Sequence, residues 1–438
     1  MLPILHQSYW RDEAFSVLLA SRNLKDVLFL TIKDTSPPLY YFLLHFWIRF
    51  FGDAGYVTRS LSLLFFFLLV LSSFFLLKHL LKNRKISLLG SLGILLNPFL
   101  VEYAFEARAY MFFAFLIVTT TLFYLKKKRL LSSLFLTMAI LTHNFAIFFL
   151  IAFIAAWLYD NKERLWEKKA KFISSFLLPI LAFIGWLKFS WNQWIKVAEG
   201  FWIEPKTSSI FVDAFRVFFQ GSLDYPSRAM LYNLSLILVF MGLSYWLVKI
   251  ATGRGSNFLK KDNASLVFLF SIPFLIVYII SSFWVPIYHE RYLIPILPLF
   301  IIWIIYSLLR LSKINTSLSY LIFAFSLAYI LFAVQGGEEI MRKTTKPAIN
   351  YGVNQILSQS QPGDVIIPES NLNFLETKYY VKKSGKDIPV FAYSPSGKII
   401  FYLGSILFEK SDIVSSYPEN KRIWIIKPDG GYYLKGED

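Results

Sequence analysis

The sequence predicts an all-α polytopic membrane protein with about ten transmembrane helices and an outer juxtamembrane acidic loop, followed by a small C-terminal α/β extracytoplasmic domain. Three observations carry this. The 438 residues are 56% hydrophobic and 19% aromatic, with mean hydropathy +0.52, an unusual composition for a soluble domain. The apolar residues gather in repeated runs of roughly 17–25, the length a helix needs to cross a bilayer. Lys and Arg gather in short loops between those runs, and every second loop is basic.

The runs fall near residues 58–80, 86–105, 110–125, 130–143, 145–159, 172–190, 230–250, 264–285, 292–310 and 316–335, by the hydropathy criterion. The third, fourth and fifth are short. The basic loops are KHLLKNRK (78–85), KKKR (126–129), DNKERLWEKKAK (160–171), KIATGRGSNFLKKD (249–262) and RLSK (310–313). With these in the cytoplasm, the other loops lie outside, together with the N-terminal segment and everything after the last run. The expected location is therefore the plasma or inner membrane, with the polar site and C-terminal domain extracytoplasmic.

The net charge of +17 does not indicate nucleic acid, because from Gly336 onward 13 basic residues face 12 acidic ones. The excess sits in the short loops. There is no cysteine, which excludes disulfides, thiolate chemistry and Cys-ligated metal. No basic n-region precedes an apolar core at the start, so no cleavable signal peptide is read.

Three domains follow. Residues 1–57 form a first outer loop, 58–335 the helical membrane domain, and 336–438 a soluble α/β unit. In the first loop Asp12 is expected to cap a helix running to about Asn23. DTSPPLYYFLLHFWIRFFG reads as a second helix, with Ser36 as N-cap and Pro37 at the first helical position. It is apolar nearly all round and short for a span, which suits a helix lying in the interface. In the last unit NYGVNQILSQSQPGDVIIPES reads helix, turn, strand, and VFAY, KIIFYL and RIWIIKP read as short strands.

The outer side collects the groups that could do chemistry. These are Asp12 and Glu13; Glu102, Glu106, Arg108 and Tyr110; His143 and Asn144; and His289, Glu290, Arg291 and Tyr292. Each also has a plain structural explanation. Asp12 and Glu13 suit the first turn of a helix. Glu106 and Arg108 suit a solvated loop. His143 suits a hydrogen-bonded interfacial histidine, and the HER cluster a snorkelling boundary. Their joint placement on one face by an independent topology argument favours a site. A carboxylate pair plus one histidine is a thin ligand set, so no metal or other cofactor is expected.

Sugar transfer from a lipid-phosphate donor suits a carboxylate and a cationic cluster at an outer membrane surface. The phosphate leaves as a stable anion and needs cations, best supplied by Arg. The acceptor hydroxyl needs one carboxylate base. Single displacement inverts the anomeric centre, and the prenyl chain needs an apolar groove. The partners implied are a polyprenyl-phosphate sugar donor and a lipid, glycan or protein acceptor. A flippase for lipid-linked sugars would instead carry ionisable residues near the bilayer centre. A glycan ligase would carry a large outer loop rich in Arg and His. The 190–230 segment has Trp191, Trp194, Trp202, Arg216 and Arg228 but no His, and of the two readings of its tryptophans, stacking on sugar faces or anchoring at the headgroups, anchoring is preferred.

WRDEA, SPPLYY, FGDAGYVTRSLSLLF, NPFLVEYAFEARAYMF and RYLIPILP, in that order over roughly residues 8–335, resemble the GT-C class of membrane glycosyltransferases. The resemblance is to the bacterial group around glycosyltransferase family 39, which includes dolichyl-phosphate-mannose-protein mannosyltransferase-like enzymes (protein O-mannosyltransferases) and the aminoarabinose transferases of lipid A. It implies that Asp12 of the Asp12–Glu13 pair is the base. It implies that Pro37 and Tyr40 lie in the juxtamembrane substrate segment, with Arg59 in the motif after it. It places Glu106, Arg108 and Tyr110 beside the site, and makes Arg291 and Tyr292, with His289 adjacent, a contact for donor phosphate. The family pattern also puts a transmembrane helix before the acidic pair, whereas Met1 here is eleven residues upstream of Asp12. The resemblance therefore implies a start further upstream.

Overall fold

A computed structural model describes residues 3–34, 36–163, 165–199, 202–204, 209–252, 261–343, 346–400 and 403–436. The basic stretch 253–260 and positions 401–402 of KIIFYL lie outside them. The fold is predominantly helical, with a few strands in a small C-terminal region.

The first 57 residues hold four helices where two are expected: α1 (Pro3–His6), α2 (Arg11–Ala20), α3 (Leu24–Lys33) and α4 (Leu39–Phe51). Asp12 is not the cap of α2. The N-cap is Trp10, and its backbone N–H donates to the Glu13 carboxylate at 3.4 Å. The helix expected to reach Asn23 stops at Ala20, because Asn23 starts the next one: its side chain accepts from the Asp26 N–H at 2.9 Å, a better use of Asn than a helix interior. α4 begins at Leu39 with Pro38 as cap, two residues later than the Ser36–Pro37 start. Its first N–H donates to the Leu141 carbonyl at 2.9 Å, so a neighbouring helix end replaces the side-chain cap. α4 buries Tyr40, Tyr41 and Leu44 and exposes Phe46, Phe50 and Phe51.

The helices that follow are α5 (Gly55–Leu81), α6 (Arg84–Leu95), α7 (Pro98–Ala104), α8 (Tyr110–Leu125), α9 (Arg129–Ile140), α10 (Ala146–Asn161), α11 (Lys169–Glu199), α12 (Ile210–Gln220), α13 (Arg228–Ala251), α14 (Lys261–Phe283), α15 (Ile296–Ser312) and α16 (Thr316–Arg342). Among the described residues five are long and apolar enough to cross a membrane, or six if α6 and α7 count as one bent span. The others are too short: the 16 residues of α8 or α10 rise about 24 Å, less than the ~30 Å hydrocarbon layer. Length alone thus supports five or six of the ten expected spans.

The 86–105 run is broken, with a 65° bend between α6 and α7. Pro98 has no N–H to continue the first helix, and the Asn97 side chain caps the second by accepting from Leu100 N–H at 3.0 Å. α7 packs on α5, α12 and α16, and Glu102 on it accepts from the Ser222 and Leu223 N–H groups; Glu106 and Arg108 follow in the turn after it and reach Lys346 and the Asp12 carbonyl.

The C-terminal unit contains α17 (Ile349–Gln359), β1 (Val365–Pro368), α18 (Phe374–Ser384), β2 (Ala392–Tyr393), β3 (Ile413–Val414), β4 (Ile423–Ile426) and β5 (Tyr432–Leu434). β1 runs parallel to β4, and β5 antiparallel to β4. The sequence reading missed α18. It expected a strand at KIIFYL, but the described part, 398–400 and Leu403, is not strand. The unit is tied to the first loop. Tyr380 Oη accepts from Tyr9 N–H at 2.7 Å, Tyr379 Oη donates to the Asp53 carbonyl at 2.9 Å, and Ser8 Oγ accepts from Asn350 N–H at 2.9 Å.

Gly404 marks a close approach of the unit to α2. It has φ +76°, and a Cβ there would lie 2.8 Å from Phe15 and 2.9 Å from Leu375. Gly404→Ala should weaken the docking of the C-terminal unit on α2 by about 1–3 kcal/mol. Faster limited proteolysis of the C-terminal unit in detergent would show it; an unchanged cleavage rate would mean the joint yields without cost.

Candidate active site

Asp12 and Glu13 are adjacent on a helix, so their side chains leave it about 100° apart. The structure gives them different surroundings. Glu13 is fully buried. Arg59 grips it in bidentate fashion, Nε to Oε1 at 2.9 Å and Nη2 to Oε2 at 2.7 Å, and Ala107 N–H donates to it at 2.9 Å. Arg59 spends its remaining donors on the carbonyls of Leu5, Gln7 and Ser8. Burial alone would raise the Glu13 carboxyl, but Arg59 outweighs it and the net shift is downward. Both residues, expected as catalytic and substrate-binding, have no free polar face to offer a substrate.

Asp12 points the other way, into a polar cleft lined by Arg11, Asp34, Ser36, Arg108, Trp202, Arg291, Tyr292 and Gly404. Arg11 Nε lies 3.2 Å from Oδ1 and Arg291 Nη2 lies 3.4 Å from Oδ2. Arg108 Nη1 donates to the Asp12 carbonyl at 3.0 Å and to Ser16 Oγ at 2.8 Å. Burial would raise the Asp12 carboxyl, but Arg291, Arg108 and Arg11 overcome it and hold it at about 2.

Arg291 lies among aromatic rings, 5.1 Å from the Trp202 centroid, 5.4 Å from Trp10, 5.5 Å from Tyr292 and 5.8 Å from Tyr110. Such rings hold a guanidinium without neutralising it. Among the described residues the Nε of Arg108 and the Nε of Arg291, both buried, have no hydrogen-bond partner. Buried donors are normally paired, so the cleft keeps cationic donors in reserve beside Asp12.

Ser36, Arg108 and Tyr292 also line a second, mainly apolar cavity of ≈ 290 Å³ that continues from the cleft. Its walls include Pro37, Tyr41, Tyr110, His143, Phe145, Phe148 and Trp194. His143 stacks on Phe113 with centroids 4.9 Å apart. Burial first, then Arg108 and Arg291, press its imidazole down to about 3, so it is neutral.

The remaining expected residues are placed as follows. Tyr40 is buried but does not line the cavity; Tyr41 does. Glu106 is not in the cleft; it accepts from Lys346 Nζ at 2.6 Å. His289 lies 3.3 Å from Glu290 and its ring packs 5.3 Å from Trp202. Two of the tryptophans read as anchors, Trp194 and Trp202, line the cavities instead. Sequence reasoning missed Arg11, Asp34 and Trp202. Only Arg11, inside the WRDEA stretch, carried a local signal.

It also missed Glu376. This α18 residue is buried, its Oε2 has no partner among the described residues, and α18 packs on α2. Burial raises its carboxyl to about 8, with Arg11 opposing and Asp12 adding to the rise. Among the described residues no group of three or more His, Asp or Glu is placed to hold a metal.

No family model and no curated protein sequence matches the chain. Solved structures do. ArnT from Cupriavidus metallidurans in the apo state superposes with TM-score 0.67 at 10% identity, over 97% of this chain and 90% of that one. The same protein bound to undecaprenyl phosphate gives TM-score 0.59 at 10% identity over the same shares. The Archaeoglobus fulgidus oligosaccharyltransferase, tethered to an acceptor peptide, gives 0.51 at 11% identity over 86% of this chain and 59% of that one. The chain therefore has the GT-C fold, as the resemblance implies.

Two predictions follow from the buried groups. Arg59→Met leaves Glu13 buried and unpaired and should cost about 3–5 kcal/mol, while Arg59→Met with Glu13→Leu should recover much of it. Thermal unfolding in detergent measures both; equal losses would mean the pair is not the source. Glu376 has a folded value, about 8, above its ordinary 4.5. The folded state binds its proton more tightly, so this stabilisation is full below about 4.5 and is lost as pH rises through 8, with slope up to about 1.4 kcal/mol per pH unit. Glu376→Gln should flatten that slope, and an unchanged slope would exonerate Glu376.

Proposed function

We propose that the chain is an integral membrane glycosyltransferase. It transfers a sugar from a polyprenyl-phosphate donor to an acceptor hydroxyl on the extracytoplasmic face, with inversion and with Asp12 as base. The observation that carries this is the junction of the two cavities. Arg108 lines both the apolar cavity and the polar cleft, Arg291 lines the cleft beside the Asp12 carboxylate, and among the described residues each keeps a buried Nε donor unspent. An anionic headgroup on a prenyl chain matches that junction: phosphate on the guanidiniums, chain in the apolar cavity, sugar toward Asp12. The fold shared with ArnT, solved with undecaprenyl phosphate, supports the reading.

In the reaction the acceptor oxygen forms a bond to the anomeric carbon as the bond from that carbon to phosphate oxygen breaks. The phosphate leaves on its prenyl chain, stabilised by Arg108 and Arg291. Asp12 takes the acceptor proton. A carboxylate held at about 2 is a weak base. The leaving phosphate competes for the same arginines, so their hold on Asp12 loosens as negative charge develops, and the base strengthens when the proton arrives. Trp202 and Tyr292 offer ring faces for the sugar.

The test is transfer of radiolabelled sugar from a panel of polyprenyl-phosphate sugars in proteoliposomes. Asp12→Asn should lower kcat by at least about 100-fold in a folded protein. Arg291→Met should lower kcat/KM for the donor to a similar extent. Asp12→Asn activity within a few-fold of wild type would remove Asp12 as base. Lipid-sugar movement without transfer from any donor would replace the whole reading by a flippase.

A further inference from the structure

At the opposite end of α8 and α10 from Asp12 lies a second polar cavity, of ≈ 200 Å³. Its walls come from four helix ends: Tyr124 of α8 and Lys127 after it, Arg129 and Ser132 of α9, Trp157 and Asp160 of α10, and Lys168 just before α11 with Lys171 in its first turn. The sequence reading took these basic loops only as a topology signal. A topology signal requires cations near the surface; it does not require them to converge on one cavity.

Among the described residues the charge lining this cavity is unbalanced. Four cations, Lys127, Arg129, Lys168 and Lys171, face one carboxylate, Asp160. Asp160 accepts from Tyr124 Oη at 3.2 Å and lies 3.9 Å from Lys127. Lys168 Nζ donates to the neutral Asn161 side chain at 2.9 Å. Among the described residues neither Arg129 nor Lys171 pairs with a carboxylate.

The backbone presents mixed ends here: the C-termini of α8 and α10 and the N-termini of α9 and α11. α9 starts at Arg129 with no side-chain cap, and neither α9 nor α11 has an acidic residue in its first turn. Helix N-termini carry partial positive charge and favour anions; here cations crowd two of them around one space. Low-dielectric walls such as Trp157 concentrate that potential. An anion bound between the helix ends resolves both conflicts.

We propose that this cavity is a binding site for a phosphate group, distinct from the Asp12 cleft, and that its usual source is the phosphodiester headgroup of an anionic membrane lipid. The cavity lies at a helix-end boundary of the bundle, where a lipid headgroup resides, and the bound phosphate clips α9 to α11. The site is independent of the reading at Asp12.

The test uses the purified full chain in neutral detergent. Dioctanoyl phosphatidylglycerol, dioctanoyl phosphatidylcholine and inorganic phosphate are titrated, with the thermal unfolding midpoint and native mass spectrometry as readouts. Phosphatidylglycerol should raise the midpoint saturably and remain bound, and phosphatidylcholine should not. Inorganic phosphate protecting as well as the lipid would support the site with free phosphate as its source. Lys168→Gln with Lys171→Gln should weaken phosphatidylglycerol binding about tenfold or more, whereas Lys82→Gln with Lys85→Gln, in another basic loop, should not. Asp160→Asn should tighten binding, which keeps the test decisive if the lysine variant folds poorly. Equal protection by the two lipids, or equal loss from both lysine pairs, overturns the proposal.

Discussion

The buried ion pair between Glu13 and Arg59 is the constraint on which the rest of the site depends. Burying two charges is expensive, and the cost is recovered only if every donor and acceptor is used. Here they are: Arg59 reaches Glu13 and three carbonyls of the first loop, and Glu13 also takes the Ala107 N–H. One network thus joins the start of the chain, the top of α5 and the turn between α7 and α8. Asp12 and Arg108 are neighbours of residues in that network, so their relative position is set by it.

This arrangement divides labour between two adjacent carboxylates. Glu13 serves the fold and Asp12 faces the cleft. Asp12 remains ionised because three arginines surround it, yet two of those arginines keep buried donors unspent. An anion entering the cleft finds partners without first breaking a complete network. The C-terminal unit closes the side of the cleft where Gly404 meets Phe15, and brings the buried Glu376 against α2. The unit that shows no motif in sequence is therefore part of the wall of the site.

The fold class and the polar face were legible because they rest on composition and order. Apolar runs, alternating basic loops and the WRDEA, SPPLYY and RYLIPILP stretches survive without knowledge of packing. What was not legible was the fate of each polar residue. Glu106 and Arg108 look alike in sequence, but the bend at Asn97–Pro98 sends one to Lys346 and the other to Asp12. Tyr40 and Tyr41 are neighbours, and helical geometry puts only the second on the cavity. Trp202 read as a membrane anchor because cation–aromatic contact with Arg291 joins positions nearly ninety residues apart.

By itself the sequence determined that this chain enters a membrane, which loops bear its excess charge, and that Asp12 belongs to an acidic pair at the start of a helix. Those properties follow from local composition and the bilayer's intolerance of unpaired polarity. Only the tertiary structure decided which member of the pair faces the cleft. A carboxylate's role depends on the cations packed around it, and Arg59, Arg108 and Arg291 reach the pair from three separate parts of the chain.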